Sequence, residues 1–388
     1  MHARRLLAPA LMLIATAAFA VLPTTDGYLP SVGRGPGLCV GNPPVCAQWR
    51  TTAWVFNPST TEFATVDVQF LRRDADNRAP ATQQITVQPG ETRELDDVFQ
   101  TLFGLDEVYG ALRFTAAKPV VVTGRISDAN VVTNKGSGTA GQFFRGAAAT
   151  EAIGLRESVD LIGLAQDQAG VWRTNFGFVE TTGESCTVVV QAFDPLGTPL
   201  GSSRSFVTRP FSQRQFNIGE VQGALGSNRR LRLSVSEGQG KVIAFGSRID
   251  NLTGDPSTVE MAGAGRDGVY VGFLDKTTYD TPMVLTVAGG AVSRLDATLL
   301  VTAEDVATCP GGELVRLQGP LTQPVLLDEL GDFSFIVDSN VGGVSVSLQV
   351  DGLIAVDGAL TGTVATTLGN VAGCSGSKTW PLVGARRP

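Results

Sequence analysis

Histidine occurs once in the 388 residues, as His2, and that position bounds the chemistry open to the rest of the chain. His2 sits inside a leader-like segment, so the mature protein would hold no imidazole. Ser-His-Asp and Cys-His nucleophiles, and zinc sites that need histidine, are thereby excluded. Paired carboxylates, a lysine-activated hydroxyl, or a cofactor held by other groups would remain. The 37 acidic residues allow many carboxylate pairs, but no local spacing singles one out for glycoside hydrolysis. Ser375-Gly376-Ser377-Lys378 has the Ser-x-x-Lys spacing in which an amine activates a hydroxyl. It follows Cys374 in strand-like sequence, however, without the helix that such a site uses. Gly136-Ser137-Gly138-Thr139-Ala140-Gly141 fits the dinucleotide glycine pattern formally, yet no βαβ unit surrounds it. It reads as a flexible connection, and the chain reads as a non-enzyme without a cofactor.

Binding chemistry has more candidates. Asp250, Asn251 and Asp255, and separately Asp74-Ala75-Asp76-Asn77, cluster oxygen atoms of the kind calcium takes at surface turns. Asp and Asn are also good turn formers in their own right. Trp49 and Trp172, Arg50 and Arg173, and Arg125 and Arg248 are pairs separated by 123 residues. An exposed indole can stack on a sugar, and an arginine can capture an acidic ligand. Recurrence is equally what core packing and an arginine clamp would produce, and packing is the plainer reading.

These residues must be positioned by strands. After Arg4 and Arg5 comes an apolar run from Leu6 to Phe19 that closes on Ala18-Phe19-Ala20, the layout of a secretory signal spanning residues 1–20. Its removal would take the net charge from −7 to −9, which disfavours nucleic acid as a partner. No later stretch is long and apolar enough to suggest membrane insertion as a helix. At the offset of 123, Trp49-Arg50-Thr51 falls on Trp172-Arg173-Thr174, Val66 on Val189, Phe70 on Phe193, and Lys118 on Lys241. Each copy shows a tryptophan-led strand, an alternating strand such as Val66, Val68 and Phe70, and a short helical turn. A hairpin then pairs 111–115 with 120–126, and 231–235 with 242–249. This is the pattern of a β-sandwich. The expected organisation is all-β, with two homologous immunoglobulin-like sandwiches at 21–145 and 146–262 and a third antiparallel β domain at 263–388. Ala288-Gly289-Gly290 supplies a hairpin turn in that last domain.

Cys39 and Cys46 are expected to close a small loop, worth about 2.5 kcal/mol on the chain-entropy model, and Cys309 with Cys374 a long one worth roughly 4 kcal/mol. That leaves Cys186 unpaired. Its strand parity groups it with Val188, Val190 and Ala192, which favours burial, whereas Thr65 and Asp67, neighbours of the aligned Phe63, favour exposure.

The run Trp172-Arg173-Thr174-Asn175-Phe176-Gly177-Phe178-Val179, the later Arg248-Ile249-Asp250-Asn251-Leu252-Thr253-Gly254-Asp255-Pro256 and the linker Asp160-Leu161-Ile162-Gly163-Leu164 resemble the tandem sandwich repeats of secreted bacterial proteins. The ending from Gly358 through Trp380 resembles a C-terminal β domain of such proteins. Neither resemblance implies an activity. Together they imply a secreted or cell-surface array with a structural, adhesion or ligand-binding role, its partner a glycan or a cell-surface or matrix protein. A carboxylate-dependent carbohydrate hydrolase and a calcium-stabilised spacer for a protein partner are the alternatives.

Overall fold

The computed structural model of the chain describes residues 23–40, 45–133, 136–167, 170–263, 265–274, 281–288, 290–301, 313–328, 331–341, 344–355, 358–371 and 374–387. The expected signal at 1–20 and Cys309 lie outside these residues. The protein is all-β, built from three eight-stranded antiparallel units.

The first unit comprises β1 (Thr24–Val40), β2 (Val45–Phe56), β3 (Ala64–Arg72), β4 (Ala81–Val87), β5 (Thr92–Leu95), β6 (Val108–Thr133), β7 (Gly136–Arg145) and β8 (Ala147–Ala148). One layer runs β4-β3-β6-β1-β8 and the other β5-β2-β6-β7. The second unit comprises β9 (Ser158–Gln166), β10 (Trp172–Glu180), β11 (Cys186–Phe193), β12 (Pro199–Val207), β13 (Gln213–Asn217), β14 (Gly226–Gly238), β15 (Val242–Asp250) and β16 (Pro256–Ala262). Its order, β12-β11-β14-β9-β16-β15-β10-β13, repeats the first. There β6 does the work of both β14 and β15, and β7 with β8 that of β16.

Three expectations change. Segments 111–115 and 120–126 do not form a hairpin; they are one strand, pairing with β3 in one layer and with β2 in the other. Between them, 116–119 contains no residue at positive φ, which the tightest hairpin turns need. Segments 231–235 and 242–249 likewise lie in opposite layers. Gly136–Gly141 is not a loose connection but the start of edge strand β7, where a Cβ on Gly141 would stand 2.6 Å from the Ile126 carbonyl oxygen.

The copies also differ in register. Thr51, Ala53 and Val55 face inward in the first copy and Thr174, Phe176 and Phe178 do so in the second, at the offset of 123. In the next strand the inward residues are Ala64, Val66, Val68 and Phe70 against Cys186, Val188, Val190 and Ala192, one residue closer. Val66 therefore corresponds to Val188, and Phe70 to Ala192. The slip persists in the partner strand, where Ile126 stands opposite Thr51 but Arg248 opposite Thr174. Strand parity has a period of two, so one residue sends a side chain to the other face. Arg125 and Arg248 are not equivalent after all.

The first two units share a joint. Tyr28, Leu71 and Ala111 turn away from their own core and are buried among second-unit residues such as Ile153 and Val179. The Tyr28 hydroxyl donates to the Thr181 carbonyl at 3.0 Å, and Phe144 meets Phe245 edge-on at 6.1 Å. Arg145 binds Glu151 through two hydrogen bonds and reaches Glu260 at 2.9 Å.

The third unit comprises β17 (Gly268–Leu274), β18 (Thr281–Ala288), β19 (Ala291–Val301), β20 (Glu313–Leu326), β21 (Asp332–Val341), β22 (Val344–Ile354), β23 (Ala359–Val371) and β24 (Cys374–Arg386). They follow one another in the order β20-β19-β18-β17-β24-β23-β22-β21, curling around a core that includes Tyr270, Met283, Leu348 and Trp380. Its joint to the second unit is polar. Glu157, buried, accepts from the backbone N–H of Gly154 at 2.6 Å and from that of Arg266. Lys241 pairs with Asp267 at 2.8 Å. Arg386 donates to the carbonyls of Gly265, Thr150 and Asp267.

Candidate functional site

A cleft of about 310 Å³ opens where the mouth of the first sandwich meets the outer face of β10, β13 and β15. The first unit contributes Trp49, Arg73, Tyr109 and Ile126, and the second contributes Arg173, Asn175, Gln215 and Ile249. No carboxylate lines it, in a chain whose net charge is −7.

Each side chain is held by its strand. Trp49 ends the inward face of β2, and its indole lies where a Cβ on Gly37 would come within 2.3 Å of Nε1, so a glycine is required there. Arg73 follows β3. Its guanidinium stacks 5.3 Å from the Tyr109 ring and donates Nε–H to Gln213 Oε1 and Nη2–H to Gln215 Oε1, each at 3.2 Å. Tyr109 is itself anchored, donating to the Pro36 carbonyl at 2.7 Å. Arg173 and Asn175 alternate on one face of β10, and Arg173 donates to Asn251 Oδ1.

The electrostatics follow from what these groups lack. Among the described residues, neither Arg73 nor Arg173 has an ion-pair partner. Burial pushes both guanidinium pKa values down, against the pull of neighbouring Asp74 in the case of Arg73, which marks cations stripped of water beyond what nearby charges offset. The acceptors are already engaged: Gln215 Oε1 by Arg73, Gln142 Oε1 by Ser247 at 2.9 Å, and Asn251 Oδ1 by Arg173. A guanidinium and a hydroxyl both donate here, so these amides turn their NH2 groups away from those bonds. The Asn175 amide and the Trp49 indole N–H have no partner among the described residues. Apart from Asn175 Oδ1, a free acceptor, these groups present donors to the cleft.

The duplication explains why the two matched tryptophans differ in their surroundings. In the second sandwich, Arg248 covers the Trp172 ring at 4.7 Å and donates to the Gly163 carbonyl at 3.1 Å. The slipped register puts Ile126 at that place in the first copy, and no described cation sits over Trp49. Arg125 instead lies on the outer face, donating to Thr139 Oγ1 at 3.0 Å.

The remaining sequence candidates separate. Arg50 is exposed, 3.7 Å from Asp97. Asp250 Oδ1 accepts from Leu252 N at 2.7 Å and Thr253 N at 3.3 Å, while the Asp255 backbone N–H donates to Thr253 Oγ1. Asn251 is bonded to Arg173; no group of three or more His, Cys, Asp or Glu that could hold a metal ion occurs among the described residues. Asp74 accepts from Arg214 at 3.0 Å and Asn77 donates to the Phe211 carbonyl, so that turn fastens the joint. Cys39 and Cys46 form a disulfide. Cys186 is buried and unpaired. Cys374 opens β24, and its expected partner Cys309 lies outside the described residues. Sequence reasoning missed Arg73, Asn175 and Gln215; only the joint brings them beside Trp49.

No family model and no curated protein matches the chain. Among solved structures, it is similar to the crystal structure of Thermotoga maritima 1070, at 16% identity and a TM-score of 0.25 over 32% of this chain and 95% of that one. A likeness at that score carries no argument here. No helix among the described residues is long and apolar enough to cross a membrane.

Proposed function

We propose that the chain is exported through residues 1–20 and works as a non-enzymatic array of β domains that binds a ligand between its first two sandwiches. The observation that carries this reading is the cleft's pair of half-buried guanidiniums without a carboxylate, beside an uncovered tryptophan. Burying a cation without a counter-charge is costly, and a ligand that supplies the charge recovers that cost. Cys39–Cys46 is compatible with an oxidising compartment, which suits a glycan or a surface or matrix protein as partner.

The test is a screen of the mature chain against glycans and matrix polymers, with and without calcium, alongside Trp49→Ala and Arg173→Gln. A ligand bound by the parent chain and weakened at least tenfold by both variants supports the cleft. Binding indifferent to both overturns it. Retention of no ligand would leave the array a structural role. A requirement for calcium would favour the spacer alternative.

A further inference from the structure

We infer that the inter-sandwich cleft recognises an acidic saccharide through a carboxylate-bearing sugar ring, an inference that rests on the binding reading above.

Three features select this chemistry. First, most of the free polar groups are donors, Asn175 Oδ1 being a free acceptor beside them. Arg73 uses two of its five N–H groups within the protein and Arg173 uses one, and the Asn175 amide and Trp49 indole add more. An occupant must therefore be rich in acceptors, and an ionised carboxylate is acceptor-only, with a planar geometry that matches the guanidinium fork. Second, the walls are not polar throughout. Trp49, Ile126, Ile249 and Pro256 give an apolar side, which a pyranose ring can cover with its C–H face and a bare inorganic anion cannot. Third, size and charge limit the ligand. About 310 Å³ lies at the lower end of the roughly 300–1,000 Å³ typical of small-molecule sites, room for a chain end or a short segment. A densely sulfated polymer would meet the net negative charge of the protein beyond the two arginines.

Asn175 gives the most direct test. It is half-buried, its side-chain amide makes no hydrogen bond among the described residues, and it lines the cleft, so Asn175→Asp places a negative charge beside the two guanidiniums without removing packing. The experiment is calorimetric titration of the full mature chain with four probes: an oligogalacturonate, its methyl ester, a neutral oligogalactoside and a sulfated oligosaccharide. The parent should bind the free acid at least tenfold more tightly than the ester or the neutral sugar. Arg173→Gln and Asn175→Asp should each weaken the acid by about 10- to 100-fold, the range expected when a charged hydrogen bond is lost or opposed. Thermal unfolding of each variant shows that it is folded. Equal binding of acid, ester and neutral sugar, all reduced by Trp49→Ala, would overturn the acidic inference but keep the cleft as the site. Tighter binding of the sulfated probe would overturn the carboxylate assignment. Binding of the acid unchanged in Arg173→Gln and Asn175→Asp, or no binding of any probe, would also overturn it.

Discussion

Two buried titratable residues away from the cleft give predictions of their own. Cys186 is 3% exposed, and burial pushes its thiol up to about 11, against a weak hydrogen bond from Thr208 Oγ1 at 3.5 Å. Only about one molecule in a thousand would carry the reactive thiolate at pH 8. Alkylation at Cys186, followed by mass spectrometry, should therefore be slow in the native chain and rapid in denaturant; fast native labelling would contradict the packing. Its parity with Val188, Val190 and Ala192 was legible in the sequence. The contrary hint came from aligning it with Phe63, which is 60% exposed, when its true counterpart is the buried Ala64. At the second joint, burial raises the Glu157 carboxyl above its usual value of 4.5, although the Gly154 and Arg266 N–H groups and nearby Lys241 pull the other way. Above pH 4.5 the unfolded chain releases this proton before the folded one does. The contribution of Glu157 to stability thus falls as pH rises from 4.5 through the folded pKa. Glu157→Gln leaves one backbone N–H facing an amide NH2, at a cost of about 1–3 kcal/mol, and removes the titration. The gap in unfolding midpoint between parent and variant should narrow as pH rises from 4 towards 7; a widening gap would reverse the assignment.

Within strands, the one-residue slip is the decisive event. It follows from a shorter connection in the second copy: the last inward residue of one strand and the first of the next are Val55 and Ala64 in the first copy but Phe178 and Cys186 in the second. Sequence matching at a fixed offset cannot see it, because Val66 and Val189 are both valines and only the pleat distinguishes their faces. The energetic consequence concerns the two arginines matched at 123. Arg248→Ala would strip the cation from Trp172 and the bond to Gly163, costing about 1–2 kcal/mol. Arg125→Ala, on the outer face, should stay within about 0.5 kcal/mol of the parent. Denaturant unfolding of the two variants checks this, and equal losses would mean that the copies share one register after all. The stretch expected as a linker, Asp160–Leu164, lies inside strand β9 between β14 and β16, and two further strands escaped the sequence for a simpler reason. β1 and β7 are rich in glycine and lack a sustained apolar alternation, so they read as connections although cross-strand hydrogen bonds hold them.

The molecule as a whole differs from three beads on a string. Composition and duplication made the all-β fold and the repeated sandwich readable, but the joint between the copies was invisible, because its residues look like those of any strand. Tyr28 carries most of what was missing. It is fully buried, lies in the first unit, packs with the core of the second, and donates to Thr181 across the boundary. Arg113 reinforces it: the guanidinium binds Asp26 through two hydrogen bonds and lies 5.6 Å from the Tyr28 ring and 4.9 Å from that of Phe211 in the second unit. Because that boundary also shapes the cleft, coupling and binding should fail together. Tyr28→Phe removes one hydrogen bond and should cost about 1 kcal/mol. Tyr28→Ala opens a cavity spanning both units, with a cost of about 3–5 kcal/mol by analogy with other buried aromatics. In scanning calorimetry, the first two sandwiches of the parent should melt as one cooperative transition, and Tyr28→Ala should split it into two. A parent that already shows separate transitions for the two sandwiches would mean that the joint does not couple them. The cleft would then be a gap between independent bodies, and preorganisation of Arg73 against Arg173 could contribute nothing to affinity.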